Sequence, residues 1–166
     1  KDMTFDPTTN IMVGLEIESL YTSDPHEPTL SVLEEVLFKG EWPFLTPRHF
    51  VLECARLALT KNFFQFEDTI YLQTHGTSMG STFAPSVAGV YVHHLETKHI
   101  LHEANPYRRH LKHWKIYIDD ILLIWEGTLT TLTSFLMWLN EQNPYLKFTS
   151  TYSTTSMVFL DLNIEV

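Results

Sequence analysis

The stretch WKIYIDDILLIW, Trp114 to Trp125, sets two adjacent carboxylates, Asp119 and Asp120, between two apolar and aromatic runs. Strand-forming residues on both sides of a short polar pair predict a β-hairpin with the aspartates as its two-residue turn. Turns are solvated and aspartate tolerates their backbone geometry, so the pair has a plain structural explanation. It has a chemical one too: Mg²⁺ takes one or two carboxylates and completes its shell with water and substrate phosphates. A site of that kind usually draws another carboxylate from a neighbouring strand.

Upstream, NIMVGLEIESLYT (Asn10 to Thr22) reads as a strand running into a turn, with Glu16 between Leu15 and Ile17. Glu18 shares the parity of Glu16, so both would leave one face of the sheet. Periodicity alone does not separate a ligand from an outward-facing strand residue. Between this strand and the hairpin, TLSVLEEVLF (Thr29 to Phe38) has helical spacing with Gly40 as its stop. PRHFVLECARLALT predicts a second helix from Pro47 to Thr60, capped by Thr46. NFFQFEDTIYLQ predicts two short strands around a Glu67-Asp68 turn.

The loop THGTSMGST then enters a third helix, about Ala84 to Glu103, with Pro85 in its first turn. Small residues and two glycines at a helix entrance can bring main-chain N–H groups close to a phosphate, though a plain helix-entry loop has the same composition. Downstream, TLTTLTSFLMWLNEQN predicts a fourth helix, and LKFTSTYS with MVFLDLNIEV a final strand pair around TTS. Helices and hairpins in irregular alternation point to an α+β fold, mainly antiparallel sheet packed on helices. The 166 residues, 44% of them hydrophobic, suit a single domain, 1–166.

A formal charge of −9 argues against simple electrostatic adhesion to nucleic acid, unless basic flanking parts lie outside the segment. No apolar run approaches the roughly 20 residues that cross a bilayer, so no membrane association is expected. Cys54 is the single cysteine and has no internal disulfide partner; its type is most often a small buried hydrophobe.

Taken in order, LEIESLYT, then QTHGTSMGSTFAPS opening a helix, then WKIYIDDILLIWEG, then KFT and FLDL, resemble the palm of reverse transcriptases. The resemblance is to the Penelope-like retroelement type, related to telomerase, and spans about Asn10 to Val166. It implies an RNA-directed DNA polymerase that transfers deoxynucleotides to a primer 3′-hydroxyl with two Mg²⁺ (or Mn²⁺) ions. Its partners would be an RNA template, a DNA primer and deoxynucleoside triphosphates, and the nucleus the expected compartment. It assigns Asp119, Asp120 and Glu16 as catalytic metal ligands. Tyr21 matches the aromatic that packs on the sugar and excludes a 2′-hydroxyl. Gln73, Gly76, Met79 and Gly80 match the segment supporting nucleotide and template, and Lys147 is a candidate phosphate contact or proton donor to pyrophosphate. Apart from the resemblance, Arg108, Arg109 and Lys112, with Tyr107, form a basic cluster that could contact a nucleic-acid backbone and base, though a solvated loop explains it as well.

The chain departs from that pattern in three places. The family carries aspartate where this chain has Glu16, and one extra methylene moves the carboxylate by about 1.5 Å. Displacement on that scale costs on the order of a hundredfold in rate. Asp24 stands at a usually apolar position, and Ile116 where an arginine precedes YIDD. These changes keep open a catalytically silent palm, retained as a nucleic-acid-binding or protein-interaction module. His99 and His102, three apart, lack the carboxylate-histidine spacing of a hydrolytic zinc site.

Overall fold

The structure, a computed structural model, describes residues 5–39, 41–78 and 80–166. Two compact units make up the chain: Lys1–Glu18 with Glu96–Val166, and Ser19–Leu95.

The first unit is built on a four-stranded antiparallel sheet in the order β4-β5-β1-β6. Its strands are β1 (Asn10–Ile17), β4 (Leu111–Tyr117), β5 (Asp120–Glu126) and β6 (Phe148–Ser153). The registers place Val13 opposite Leu123 and Leu123 opposite Trp114, with Leu15, Ile121 and Ile116 in the adjacent row. That face carries most of the large apolar residues, and Val13, Leu123, Ile121 and Trp125 are fully buried. Helix α5 (Leu129–Glu141) joins the core through Phe135, stacked 5.1 Å from Trp125, with Tyr107 and Trp138 closing the ring cluster. Thr128 caps α5 by accepting from the Thr131 N–H, and Asn140 ties the helix end to β6 through both main-chain groups of Phe148.

The opposite face is apolar at one end and polar at the other. Met12, Ile124 and Met157 form a small core there, joined by Leu122 and Ile164. Met157 comes from the hairpin of β7 (Ser156–Phe159) and β8 (Leu162–Glu165). That hairpin corrects the sequence expectation. LKFTSTYS does not pair with MVFLDLNIEV; it adds to the free edge of β1, and MVFLDLNIEV folds on itself at Leu160-Asp161, with Leu160 at φ 53°.

The second unit is helical: α1 (Leu20–Ser23), α2 (His26–Phe38), α3 (Arg48–Thr60) and α4 (Ala84–Leu95). Leu30, Leu33 and Leu37 of α2, Leu52, Ala55 and Leu59 of α3 and Val87 of α4 recur at helical spacing and share one core. Helix α2 begins three residues before the expected Thr29, because Pro28 fits a first turn. The expected cap of the second helix, Thr46, is replaced by Pro47. Helix α4 ends at Leu95, short of the expected Glu103; Glu96–Ile100 widens into a π-turn and leaves the α spacing. The strands β2 (Phe63–Phe66) and β3 (Thr69–Leu72) turn at Glu67-Asp68 as expected, Glu67 taking φ 54°. Gly40 and Met79 lie outside the described residues.

Candidate functional site

In an antiparallel sheet, residues directly opposite one another point to the same face with Cβ atoms about 5 Å apart. One row therefore decides the site: Tyr117 opposite Asp120, Asp120 opposite Glu16, and Glu16 opposite Thr149, crossing all four strands. It lies at the polar end of the face that holds Met12 and Ile124. Behind it the row Lys115, Leu122, Gly14, Thr151 follows. Glu16, Asp120, Thr149 and Thr151 line a shallow groove of about 160 Å³, bounded on the hairpin side by Val158, Phe159 and Leu160.

The turn between β4 and β5 is Ile118-Asp119, one residue earlier than expected, so Asp120 is the first strand residue rather than part of the turn. Either placement keeps Trp114 and Ile116 on the face of Leu123 and Ile121, so burial does not choose between them. The main chain does: the Asp119 carbonyl accepts from the Ile17 N–H at 2.9 Å, and Asp120 completes the ladder opposite Glu16. Ile118 then sits at φ 58°, a region that strains a β-branched residue. Such strain gathers where the surrounding structure over-determines a turn.

Burial raises the Asp120 carboxyl above the ordinary carboxylate range, and the adjacent Asp119 charge pushes it the same way. A divalent cation would relieve that repulsion, and Mg²⁺ needs only one or two carboxylates when phosphates complete its shell. Glu16 and Asp120, facing one another across the ladder, could supply that number. Among the described residues no group of three or more His, Cys, Asp or Glu side chains is placed to hold a metal ion. Glu18 is exposed beyond the end of β1, where its N–H donates to the Lys147 carbonyl.

Ile116 lies on the face away from the carboxylates, opposite Ile121. The arginine expected there would not share their face, whereas Lys115, which sequence reading passed over, stands one row behind them. Its signal was available: β4 alternates, and Lys115 has the parity of Tyr117.

The remaining assigned residues are largely engaged locally. The Lys147 ammonium donates to the Asn140 carbonyl at the end of α5. The Arg108 guanidinium donates to the carbonyls of Leu101 and Leu111, Arg109 donates to His110 Nε2, and Lys112 pairs with Glu126 at 2.6 Å. Tyr107 is packed among Trp125, Phe135 and Trp138 and does not offer its ring as a free face.

In the second unit, Gln73 accepts from Asn62 Nδ2 and donates to the His75 carbonyl, bracing the Thr74–His75 loop. Gly76 adopts φ 71° with the Tyr21 carbonyl and the Thr22 main chain where a Cβ would lie. The Tyr21 carbonyl accepts the Thr77 N–H at 2.6 Å, so the Tyr21 segment and the glycine loop are one structural element. Gly80, with Asn62, Thr77, Ser78, Ser81 and Phe83, borders a pocket of about 350 Å³. Met79 falls outside the described residues.

No protein-family model matches the sequence, and no curated protein matches it. Solved structures do match in fold. Apo telomerase from Candida tropicalis superposes with a TM-score of 0.72 at 11% identity, over 95% of this chain and 31% of that one. The same telomerase truncated from its C-terminal domain gives 0.68 at 14% identity, over 95% and 34%. An RNA polymerase complex inside a double-stranded RNA virus gives 0.60 at 12%, over 95% and 16%. The chain thus has an α+β fold similar to that of these telomerase and RNA polymerase structures, and spans about a third of the length of the telomerase chains. Among the described residues no helix is long and apolar enough to cross a membrane.

Proposed function

We propose that this chain is the palm of an RNA-directed DNA polymerase of retroelement, Penelope-like type, acting on an RNA template, a DNA primer and deoxynucleoside triphosphates. The observation that carries the reading is the row in which Glu16 faces Asp120, with Asp119 in the adjoining strained turn. Motif order and the polymerase-like fold support it from independent directions.

In this reading Glu16, Asp119 and Asp120 hold Mg²⁺ or Mn²⁺. Bound there, the ions would ease deprotonation of the primer 3′-hydroxyl and stabilise charge on the leaving pyrophosphate. The chain's own contribution is placement. The β1–β5 ladder holds Glu16 against Asp120, and the Asp119 carbonyl bonded to Ile17 stops the turn from swinging away. In the second unit the reading assigns Tyr21, Gln73, Gly76 and Gly80 to the nucleotide. A catalytically silent palm is the alternative, favoured by the longer arm of Glu16.

The deciding experiment titrates the chain with Mg²⁺ and Mn²⁺ while following NMR shifts at Asp119 and Asp120, with and without a deoxynucleoside triphosphate and template-primer. Saturable binding that Asp119→Asn abolishes is the expected result. No binding in any of these conditions would overturn the catalytic reading and leave the silent palm.

A further inference from the structure

The second unit contains an arrangement that no motif assignment explains. Both main-chain polar groups of Gly76 are taken by one short segment: its N–H donates to the Asp24 carbonyl at 3.0 Å, and its carbonyl lies 2.7 Å from His26 Nε2. A carbonyl only accepts, so His26 carries its proton on Nε2. The next residue, Thr77, is 4% exposed and gives both its N–H and its hydroxyl to the Tyr21 carbonyl. Asp24 is itself buried and held by the Thr29 hydroxyl. Residues about fifty positions apart in sequence thus meet in a ladder of hydrogen bonds with no β-strand to account for it.

We infer that His26 is a positioning residue: by holding the Gly76 carbonyl while the Asp24 main chain holds the Gly76 amide, it sets the spacing between Tyr21 and the glycine loop. The inference deepens the proposed function, since it makes His26 and the Asp24 main chain a determinant of how the Tyr21 ring is presented to the sugar of a nucleotide. The physical reason is economy of freedom. Gly76 has more backbone freedom than any other residue type, so its conformation at φ 71° must be imposed by partners. Three of the four bonds that impose it are main-chain to main-chain or involve Thr77; the imidazole is the side chain that closes the set. Gly76 also cannot be replaced by a bulkier residue to the same end, because the Tyr21 carbonyl and the Thr22 main chain occupy the space a Cβ needs.

The test compares the wild-type chain with His26→Leu, which removes the donor, and His26→Gln, whose side-chain amide can reach the same carbonyl. Amide hydrogen exchange at Gly76 and Thr77 is followed beside that of the α2 core, represented by Leu33. With His26→Leu, exchange at Gly76 and Thr77 should rise on the order of tenfold, the loss of one hydrogen bond, while Leu33 is unchanged. His26→Gln should restore most of the protection. Unchanged exchange at Gly76 and Thr77, or an equal rise at Leu33, would overturn the inference.

A second arm measures discrimination between deoxy- and ribonucleoside triphosphates by Mn²⁺-dependent binding in the presence of template-primer. His26→Leu should reduce it on the order of tenfold and His26→Gln should restore it. Altered exchange with intact discrimination would reduce His26 to a structural role and overturn the positioning claim. If the wild-type chain binds neither nucleotide, the polymerase reading fails by itself, and the exchange arm still decides whether His26 holds the loop.

Discussion

Replacing Gly76 by alanine is the sharpest test of the second unit's geometry. The added Cβ would lie 2.6 Å from the Thr22 Cα, 2.6 Å from the Tyr21 carbonyl oxygen and 2.7 Å from the Thr22 carbonyl oxygen. All three are main-chain atoms, so no side-chain rotation gives relief. Alanine at positive φ costs about 1–2 kcal/mol, and overpacking that forces the backbone to shift adds about 1–3 kcal/mol. The sum, about 2–5 kcal/mol, is a large part of the roughly 5–15 kcal/mol that holds a domain folded. Gly80, four residues on, is the control: among the described residues nothing lies within 4 Å of its Cβ position, and its φ is unstrained. There alanine should be neutral or stabilising by up to about 1 kcal/mol, through loss of freedom in the unfolded chain. Urea unfolding followed by circular dichroism reads both. At a slope of about 2 kcal/mol per molar urea, Gly76→Ala should lower the midpoint by about 1–2.5 M, and Gly80→Ala should leave it in place or raise it slightly. If both variants shifted the midpoint equally, or Gly76→Ala shifted it by less than about 0.3 M, the packing of Gly76 under Tyr21 and Thr22 would be wrong.

Other predictions concern charge and strain. Ile118, 47% exposed at φ 58°, gives up little burial when replaced, so Ile118→Asn should stabilise the chain by about 1 kcal/mol, measured by the same urea midpoint; a loss of that size would argue against the strained turn. Asp119→Asn should lower the pKa of Asp120, read from carboxyl ¹³C shifts against pH, because one of the two causes that raise it is removed; no movement would place the whole effect in burial. Asp24 is 1% exposed with Oδ2 unpartnered among the described residues, and burial raises its carboxyl despite the Thr29 hydroxyl and nearby His26. A raised folded pKa means that the native state holds the proton longer than the unfolded state, so stability falls as pH climbs through that pKa. Asp24→Asn should therefore match wild type below about pH 3.5 and exceed it at neutral pH by about 1–2 kcal/mol. A constant difference across that range would refute the assignment.

Much of this fold was legible because its signals are local. The Glu67-Asp68 turn lies between two runs of β-branched and aromatic residues, and the α2 and α3 leucines recur at helical spacing. What was missed depends on partners distant in sequence. LKFTSTYS could pair with either neighbour, and only the open edge of β1 settles which. The extent of the third helix was overread because ETKHI continues the polar pattern while its backbone has widened into a π-turn. Basic residues assigned to phosphate or nucleic acid also have partners within the chain: Arg108 and Lys147 on carbonyls, Arg109 on His110 Nε2 and Lys112 on Glu126. Composition records the charge of such residues and says nothing of where it is spent.

The candidate site shows the same division. Its carboxylates were legible as residue types, yet whether Glu16 belonged with them turned on register, since Glu18 has identical parity. The ladder sets the two apart: Glu16 is the last β1 residue opposite β5 on that face, and Glu18 lies beyond the strand. Glu16 is also held between two partners, Asp120 on one side and Thr149 on the other. Exchange for aspartate leaves the strand pairing untouched and changes only the reach of the carboxylate. A gain in metal binding by Glu16→Asp would therefore report arm length, and would mean that the row is already built for a two-cation site. Unchanged binding would locate the deficit elsewhere, most directly in Asp120, whose burial beside Asp119 opposes the charge that a cation requires.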